Sequence, residues 1–268
     1  MRALAPYDYA STAMHPLSQM MFGILANIKN YATTIYHDFG FIWKIGVALV
    51  CVFFITKSIR VSSHKKALSF FISILAIGVS FILSYGVYIL LTMPISYPRG
   101  LFGFGAFLAI ISIYIVSDYK KAAIVTALSL NWCFLVFAFS YGNALADQER
   151  YAKFRITLLL HDLSDLYPSR NGETMSIQLD KTIGFVPSIK NISKHYPIIE
   201  RLVPKRLGED ANYDTYYYLY HYNVSNMEEN RPFLSSIDFN SMDLPVVKDS
   251  YYHTIKSDGS HILVILKP

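Results

Sequence analysis

Residues 67–98 read ALSFFISILAIGVSFILSYGVYILLTMPISYP and contain no charged side chain before Arg99. Two further uncharged stretches follow at residues 100–117 and 122–146, and a shorter one precedes them at residues 45–56. A helix of about 18 or more apolar residues is long enough to cross a hydrocarbon core about 30 Å thick. Because three such runs follow one another, the first half of the chain is predicted to lie in a membrane.

Composition and charge divide the chain at the same point. Hydrophobic residues make up 53% and charged residues 16% of the sequence, whereas soluble domains average about 25% charged residues. Residues 1–144 contain 10 Lys/Arg and 3 Asp/Glu (+7), and residues 145–268 contain 14 Lys/Arg and 16 Asp/Glu (−2). The basic excess therefore surrounds the apolar runs and not the polar half. Nucleic acid is accordingly not expected among the partners.

The charge-free runs predict four membrane-spanning helices, at residues 41–58, 67–92, 100–117 and 122–141. The first and third connections between them are basic, with Lys57, Arg60, Lys65, Lys66, Lys120 and Lys121. Since cytoplasmic loops carry the excess of Lys and Arg, these two connections are predicted to be cytoplasmic. The middle hairpin and the chain beyond the last span then lie on the opposite face, which is the periplasm in a bacterium.

Beyond the last span the pattern becomes that of a water-soluble α/β domain. A helical period runs through residues 143–166, and a strand is predicted at residues 175–179. A short helix is expected at residues 193–202. Residues 250–267 alternate on both sides of Asp258-Gly259, which predicts a β-hairpin.

The expected fold is an α-helical polytopic membrane protein with a C-terminal α/β extracytoplasmic domain. Residues 1–40 form an extracytoplasmic or interfacial segment in this scheme, residues 41–144 the transmembrane helices, and residues 145–268 the periplasmic domain. Within the first segment, residues 15–32 are moderately apolar at helical spacing. This favours a helix in the membrane interface or a re-entrant segment over a full span.

The outward hairpin carries the main candidate for a lipid-binding site. It reads Ser96-Tyr-Pro-Arg-Gly, so Arg99 puts a permanent cation at the level of the lipid headgroups. A guanidinium holds a phosphate through paired hydrogen bonds, and the alternative is ordinary interfacial anchoring by Tyr97 and Arg99. Tyr141 and Asn143 lie where the last span reaches the same face. They either join a headgroup site or form an aromatic belt and a helix irregularity.

Three further groups each have two interpretations. The glycines of Gly100-Leu-Phe-Gly-Phe-Gly favour close helix packing over a nucleotide loop, because no strand precedes them. His161, Asp162 and Asp165 offer part of a metal site or, more simply, a polar helix surface. The tyrosines of residues 213–222 suit either stacking on sugar rings or packing within a strand.

Isolated polar and sulfur side chains inside the spans are assigned structural roles. Asn131 is expected to form a hydrogen bond between helices. Cys51 and Cys133 have no His or Cys neighbours at metal-ligand spacing and are interpreted as small apolar residues. We therefore expect no metal site and no evident cofactor.

Five short motifs follow one another between residues 97 and 268. They are Tyr97-Pro-Arg-Gly-Leu-Phe-Gly-Phe-Gly, Phe139-Ser-Tyr-Gly-Asn-Ala-Leu, Tyr196-Pro-Ile-Ile, Leu202-Val-Pro and Ser250-Tyr-Tyr-His-Thr-Ile-Lys-Ser-Asp-Gly. In order and spacing this set resembles the C-terminal part of the serotype-converting O-antigen glucosyltransferases of the glucosyl transferase II type, found in phages and prophages.

The resemblance implies an inner-membrane enzyme similar to the lipid-donor glycosyltransferases of the C fold. Such an enzyme transfers glucose from undecaprenyl phosphate to a sugar of lipopolysaccharide O-antigen at the periplasmic face. Membrane lipid, undecaprenyl-phosphate-glucose and O-antigen are then the implied partners, and the lipid-linked sugar replaces a nucleotide sugar as donor. The resemblance adds weight to Tyr97, Arg99, Tyr141 and Asn143 as substrate-binding residues.

One departure limits what the resemblance implies. Enzymes of this type place their acidic catalytic residues in an early periplasmic loop, and the region before Phe41 is too short to contain that part. We expect a chain that lacks the catalytic N-terminal portion, with its catalytic residues unassigned and no activity by itself. The alternative is a non-catalytic, membrane-anchored periplasmic carbohydrate-binding or sensing module that uses residues 213–222 as its sugar-binding face.

Overall fold

The structure is a computed structural model. It describes residues 13–63, 65–92, 94, 98–117, 120–167, 175–205, 207, 227–229, 239 and 242–268, with only the backbone at 98–99 and 227–229. The α-helices are α1 (Met20–Asp38), α2 (Phe41–Val61), α3 (Lys66–Leu83), α4 (Phe102–Val116), α5 (Lys121–Leu166), α6 (Pro187–Ile192) and α7 (Ile198–Leu202). The strands are β1 (Met175–Asp180), β2 (Met227–Glu229), β3 (Val246–Asp249), β4 (His253–Ser257) and β5 (His261–Leu266).

Three of the described helices, α2, α3 and α5, are long and apolar enough to cross a membrane. Three of the four predicted spans therefore correspond to helices of spanning length and apolar composition. Helix α4 is equally apolar but has 15 residues, which corresponds to about 22 Å of helix. Residues 15–32 are predicted to form an interfacial helix or a re-entrant segment, and helix α1 (Met20–Asp38) overlaps this range. Helix α1 is not among the three helices of spanning length.

The predicted second and third spans are longer than the helices that form. Helix α3 ends at Leu83 and not near residue 92, because the chain turns into a 3-10 helix at Gly86–Leu90. Gly86 has φ of +61°, a left-handed conformation that glycine adopts without steric cost. The third span was expected from residue 100, but Pro98–Leu101 form a second 3-10 helix and α4 starts at Phe102. Apolar character continues through both turns, so hydropathy alone does not reveal them.

The chain forms two compact units. One consists of the described part of Met1–Ser140 together with Ser193–Leu202, and the other consists of Tyr141–Ile192 and Val203–Pro268. Helix α5 is continuous from Lys121 to Leu166, so the predicted last span and the predicted helix at residues 143–166 are one helix.

Aromatic side chains pack at the centre of the first unit. The Trp43 ring lies with its centroid 4.9 Å from that of Phe137 and 5.8 Å from that of Tyr196. Arg201 Nε donates to Asp38 Oδ2 at 2.7 Å. Residues 193–202 therefore belong to the helical unit through both apolar and ionic contacts.

The second unit is a five-stranded mixed sheet in the order β2-β1-β5-β4-β3. Strand β1 pairs in parallel with β2 and β5, and the β3-β4-β5 segment is antiparallel. The predicted strand at residues 175–179 and the predicted hairpin at residues 250–267 are both confirmed. The helix predicted over residues 193–202 is confirmed only for Ile198–Leu202, since Pro197 disfavours a helical conformation at the residue before it.

The apolar core of this unit lies between the sheet and the polar half of α5. Ile156, Leu159 and Leu163 on the helix pack with Ile177 of β1 and Val264 of β5, and all five are buried. Alternate residues of β5 face the two sides of the sheet, because side chains alternate along a strand. Leu263 accordingly packs on the other side in a smaller cluster that includes Phe239 and Leu244.

Candidate functional site

The structure describes the four predicted site residues only in part. Tyr97 lies outside the described residues. Arg99 belongs to the 3-10 helix Pro98–Leu101, and its side chain lies outside the described part. Tyr141 is half-buried and Asn143 exposed on α5, and residues two apart on a helix do not face each other. The predicted headgroup site therefore remains a prediction.

Helix α1 holds the chain just ahead of the predicted site. The Asn27 side chain, 6% exposed, donates from Nδ2 to the carbonyl oxygens of Ile89 and Leu91 at 2.9 and 2.8 Å. One amide therefore satisfies two carbonyls at the end of the 3-10 helix Gly86–Leu90. This role of Asn27 could not be predicted from the sequence, because its partners are more than sixty residues away.

The residues before α1 pair with the same turn. Met14 and Leu91 form an isolated antiparallel bridge. The His15 amide donates to the Leu90 carbonyl at 3.0 Å, and the Thr92 amide donates to the Ala13 carbonyl at 2.8 Å. Residues 13–38 and 84–92 thus form one hydrogen-bonded group, which ends at Thr92, before Tyr97 and Arg99 in the sequence.

Tyr31 and Gly103 fix the start of this turn from two sides. The Tyr31 ring stacks on Tyr85 with 4.2 Å between centroids, and its hydroxyl lies 3.0 Å from Ser84 Oγ. Opposite, α4 approaches so closely that a Cβ at Gly103 would lie 1.8 Å from the Ser84 carbonyl oxygen. The close helix packing predicted for the glycine motif is therefore present at Gly103. At Gly105 a Cβ would meet nothing within 4 Å.

Lys57 anchors the opposite end of α4. Its ammonium group donates to the Tyr114 carbonyl oxygen at 2.5 Å and to the Ser117 hydroxyl, and it lies 4.5 Å from the centre of the Tyr114 ring. A cation at a helix C-terminus binds carbonyls that have no partner within the helix and complements the helix dipole. Lys57, counted in the sequence among the basic residues of the first connection, is therefore a buried capping residue that is 8% exposed.

A polar cluster in the second unit was missed by the sequence analysis. Asp162 on α5 accepts a hydrogen bond from Lys248 Nζ at 2.7 Å through Oδ1. Its Oδ2 lies 2.9 Å from His253 Nε2. The exposed His161 instead pairs with Asp165, at 3.2 Å. Of the two interpretations of His161, Asp162 and Asp165, the structure favours the polar surface for His161 and Asp165, while Asp162 joins α5 to the sheet.

The folded protein favours the neutral form of His253 in this cluster. Burial is the main cause that lowers the pKa of His253, with Arg155 and Lys248 lowering it further, although the Asp162 carboxylate raises it. Burial raises the pKa of Asp162, but hydrogen bonds from Lys248 and His253 outweigh it and the net pKa lies below the usual value. The His253 side chain is 2% exposed. A substrate has no access to it, so the pair serves to fasten the sheet to α5.

We expect acid to destabilise the protein through His253. Because the folded state lowers the pKa of this histidine below its unfolded value of about 6.5, only the unfolded state takes up the proton just below that pH. The free energy of unfolding therefore decreases as the pH is lowered below this value. For one proton the decrease is at most about 1.4 kcal/mol per pH unit. Thermal unfolding in detergent between pH 7.5 and 5 measures this.

The matched comparison uses two histidines on neighbouring elements. His253→Gln should flatten the pH dependence between pH 6.5 and 5, whereas His161→Gln should leave it intact, since the His161 side chain is 71% exposed. Greater stability on acidification, or a profile that depends on His161, would contradict the assignment.

Arg155 is a second buried polar residue that ties α5 to the sheet. It is 2% exposed, and its guanidinium donates to the carbonyls of Tyr252 and Lys267, each at 2.6 Å. It also donates to the Tyr151 hydroxyl at 2.5 Å. The Tyr252 ring faces the guanidinium, with 4.9 Å from Cζ to the ring centre. One side chain thus binds both ends of the β4-β5 hairpin.

Within the described residues, no group of three or more His, Cys, Asp and Glu side chains is arranged to hold a metal ion. Comparison of the chain with protein-family models, curated proteins and solved structures found no match. Candidate functional residues are therefore identified from the sequence motifs and from the geometry of the described residues.

Proposed function

We propose that the chain is part of a membrane glucosyltransferase that moves glucose from undecaprenyl phosphate onto lipopolysaccharide O-antigen. The ordered motifs at residues 97–268 support this proposal, as do the three helices of spanning length. The observation that carries it is the hydrogen-bonded support that α1 and residues 13–15 give to the turn before Arg99. A turn held in this way at residues 84–92 would suit a neighbouring residue that must meet a lipid phosphate in one orientation.

In this proposal the chain is a multi-pass protein of the bacterial inner membrane. The basic connections lie in the cytoplasm, and the sheet unit lies in the periplasm with the outward hairpin. Lipid-linked donor and O-antigen acceptor then meet at the same face as Arg99. Tyr97 and Arg99 would contact the donor phosphate, while Tyr141 and Asn143 would line the path of a sugar. The acidic catalytic residues would lie upstream, as in the enzymes that the chain resembles.

The topology is tested by fusion of alkaline phosphatase, which is active only in the periplasm. We expect an active enzyme after Ser193 and an inactive one after Ser63, because the positive charges at Lys57 and Arg60, which that fusion retains, favour the cytoplasm for this connection. Phosphatase activity in cell extracts, normalised to fusion protein, gives the result. The opposite pattern would remove the periplasmic site and with it the proposed reaction.

Transfer itself is tested by substitution of Arg99 in the gene extended upstream to include the missing loop. Loss of a charge-assisted hydrogen-bonding partner to the phosphate should cost about 1.5–3 kcal/mol, so Arg99→Ala should slow transfer roughly tenfold to a hundredfold. Arg99→Lys should recover only part of the rate, because an ammonium cannot make the paired contact. Mass spectrometry of O-antigen, which gains one hexose per modified repeat, measures the product.

The control is Arg60→Ala, which removes a membrane-flanking arginine from the opposite face. It should leave transfer unchanged while both variants insert normally. A normal rate for Arg99→Ala would make the residue an interfacial anchor. Glucosylation by residues 1–268 alone would refute the upstream placement of catalysis.

A further inference from the structure

The apolar half of α5 presents one exposed seam with a regular spacing. Its members are Val125, Leu128, Trp132, Leu135 and Phe139, which are 61, 62, 65, 47 and 68% exposed. The steps between them alternate between three and four residues. This heptad spacing keeps one stripe of a helix in contact with a parallel partner helix along a left-handed supercoil.

Two side chains with polar groups, Asn131 and Trp132, have no hydrogen-bond partner among the described residues. Asn131 and Trp132 lie at the midpoint of the predicted span 122–141, and both are exposed. The side-chain amide of Asn131, which lies beside the seam residue Trp132, makes no hydrogen bond within the described part of the chain. By contrast, the hydroxyls of Thr126 and Ser140 donate to carbonyls of their own helix, each at 2.9 Å. An unpaired amide facing hydrocarbon is costly, and tryptophan normally lies at the membrane interface rather than at its centre.

We propose that a second copy of this chain packs along the seam as a parallel, two-fold symmetric dimer. In knobs-into-holes packing each core side chain enters a hole between four residues of the facing helix. A groove on α5 is lined in part by Leu128, Asn131, Trp132 and Leu135. Trp132 of one copy fits this groove on the other, where its indole N–H reaches the amide oxygen of Asn131.

The self-complementary arrangement favours a second copy as the occupant. The donor Trp132 and the acceptor Asn131 are adjacent residues of one helix. A dimer whose two-fold axis lies along the membrane normal therefore forms two symmetry-related hydrogen bonds. Copies inserted with the same topology are necessarily parallel, as the seam requires. Lipid chains fill an apolar groove but provide no acceptor for the indole N–H.

The proposal depends on the membrane placement of residues 122–141 and is independent of sugar transfer. The phosphatase fusions test that placement separately. A chain that inserts correctly and stays monomeric overturns the dimer alone, whereas failure of the fusions overturns the membrane topology.

Disulfide cross-linking of the full chain in membrane vesicles tests the seam directly. In a Cys51→Ser, Cys133→Ser background, Leu128→Cys should form a dimer on mild oxidation, because a disulfide needs its two Cβ atoms about 4 Å apart and the seam places the two copies of residue 128 opposite each other. The matched control is Leu75→Cys at the centre of α3, where the side chain is 66% exposed. We expect cross-linking at least about tenfold faster at residue 128, given the short Cβ distance that a disulfide requires.

The hydrogen bond is tested by association measurements with fluorescently labelled chains in vesicles. Asn131→Leu should lower the association constant about threefold to thirtyfold, the range for such bonds between membrane helices. Asn131→Gln keeps the amide and should retain part of the affinity. Equal cross-linking at residues 128 and 75, cross-linking only to a different protein, or an unchanged constant for Asn131→Leu would each overturn the proposal.

Discussion

Replacement of Gly103 by alanine is expected to disrupt the packing of α4 against the end of α3. The added Cβ would lie 1.8 Å from the Ser84 carbonyl oxygen and 2.8 Å from its carbonyl carbon. Both atoms are backbone, so neither moves aside by a change of rotamer. Overpacking of a core costs about 1–3 kcal/mol, and we expect the upper end of this range. Thermal unfolding in detergent and the fraction of monodisperse protein after extraction measure the effect.

Gly105 provides the matched control on the same helix. A Cβ there meets nothing within 4 Å, and alanine in a helix interior is more favourable than glycine by about 0.5–1 kcal/mol. Gly105→Ala should therefore leave stability unchanged or raise it slightly. Equal stability of the two variants would mean that α4 and residue 84 are farther apart than described.

Hydropathy predicts the apolar helices of the first unit but does not predict where they end. Charge-free runs indicate where the chain enters an apolar environment, and α2, α3 and α5 each overlap one of these runs. The ends depend on conformations that hydropathy does not report, such as the left-handed Gly86 and the 3-10 helix Pro98–Leu101. A glycine motif predicts close packing, whereas the identity of the closely packed glycine depends on the neighbouring chain.

Local structure in the C-terminal hairpin could be predicted because all its determinants are adjacent in sequence. Gly259 has φ of +97°, and Asp258 accepts hydrogen bonds from the amides of His261 and Ser260 at 2.8 and 2.9 Å. These backbone bonds, with the His261 side chain, lower the pKa of Asp258 to about 2. The turn residues therefore fix both the conformation and the register of β4 with β5.

The polar clusters could not be predicted because their partners are distant in the sequence. Asp162 and His253 are 91 residues apart, and Asn27 and Ile89 are 62 apart. A lone Asp on a helix is usually a solvated residue, and only the packing of α5 on the sheet turns Asp162 into a buried partner. The same holds for Arg155, which in sequence resembles any other basic residue of an amphipathic helix.

Arg155 gives the second large effect, because this one side chain of α5 binds both ends of the β4-β5 hairpin. Arg155→Met preserves an apolar stem of similar length but removes every donor. The Tyr252 carbonyl retains one partner, the Lys267 amide at 3.0 Å, while the Lys267 carbonyl loses the guanidinium. Loss of charge-assisted bonds and exposure of a buried carbonyl to an apolar neighbour should lower the free energy of unfolding by about 2–4 kcal/mol.

Hydrogen exchange distinguishes this loss from a general destabilisation. Arg155→Met should reduce the protection of amides in β4 and β5 more than that of amides in α2, because the lost bonds hold the hairpin. Arg155→Lys should fall between the two, since one ammonium reaches both carbonyls only with poor geometry. Arg150→Met on the same helix is the control, because the Arg150 side chain is 79% exposed and surface substitutions change stability by about 0.5 kcal/mol or less. If Arg155→Met behaves like Arg150→Met, the guanidinium does not hold the hairpin to α5.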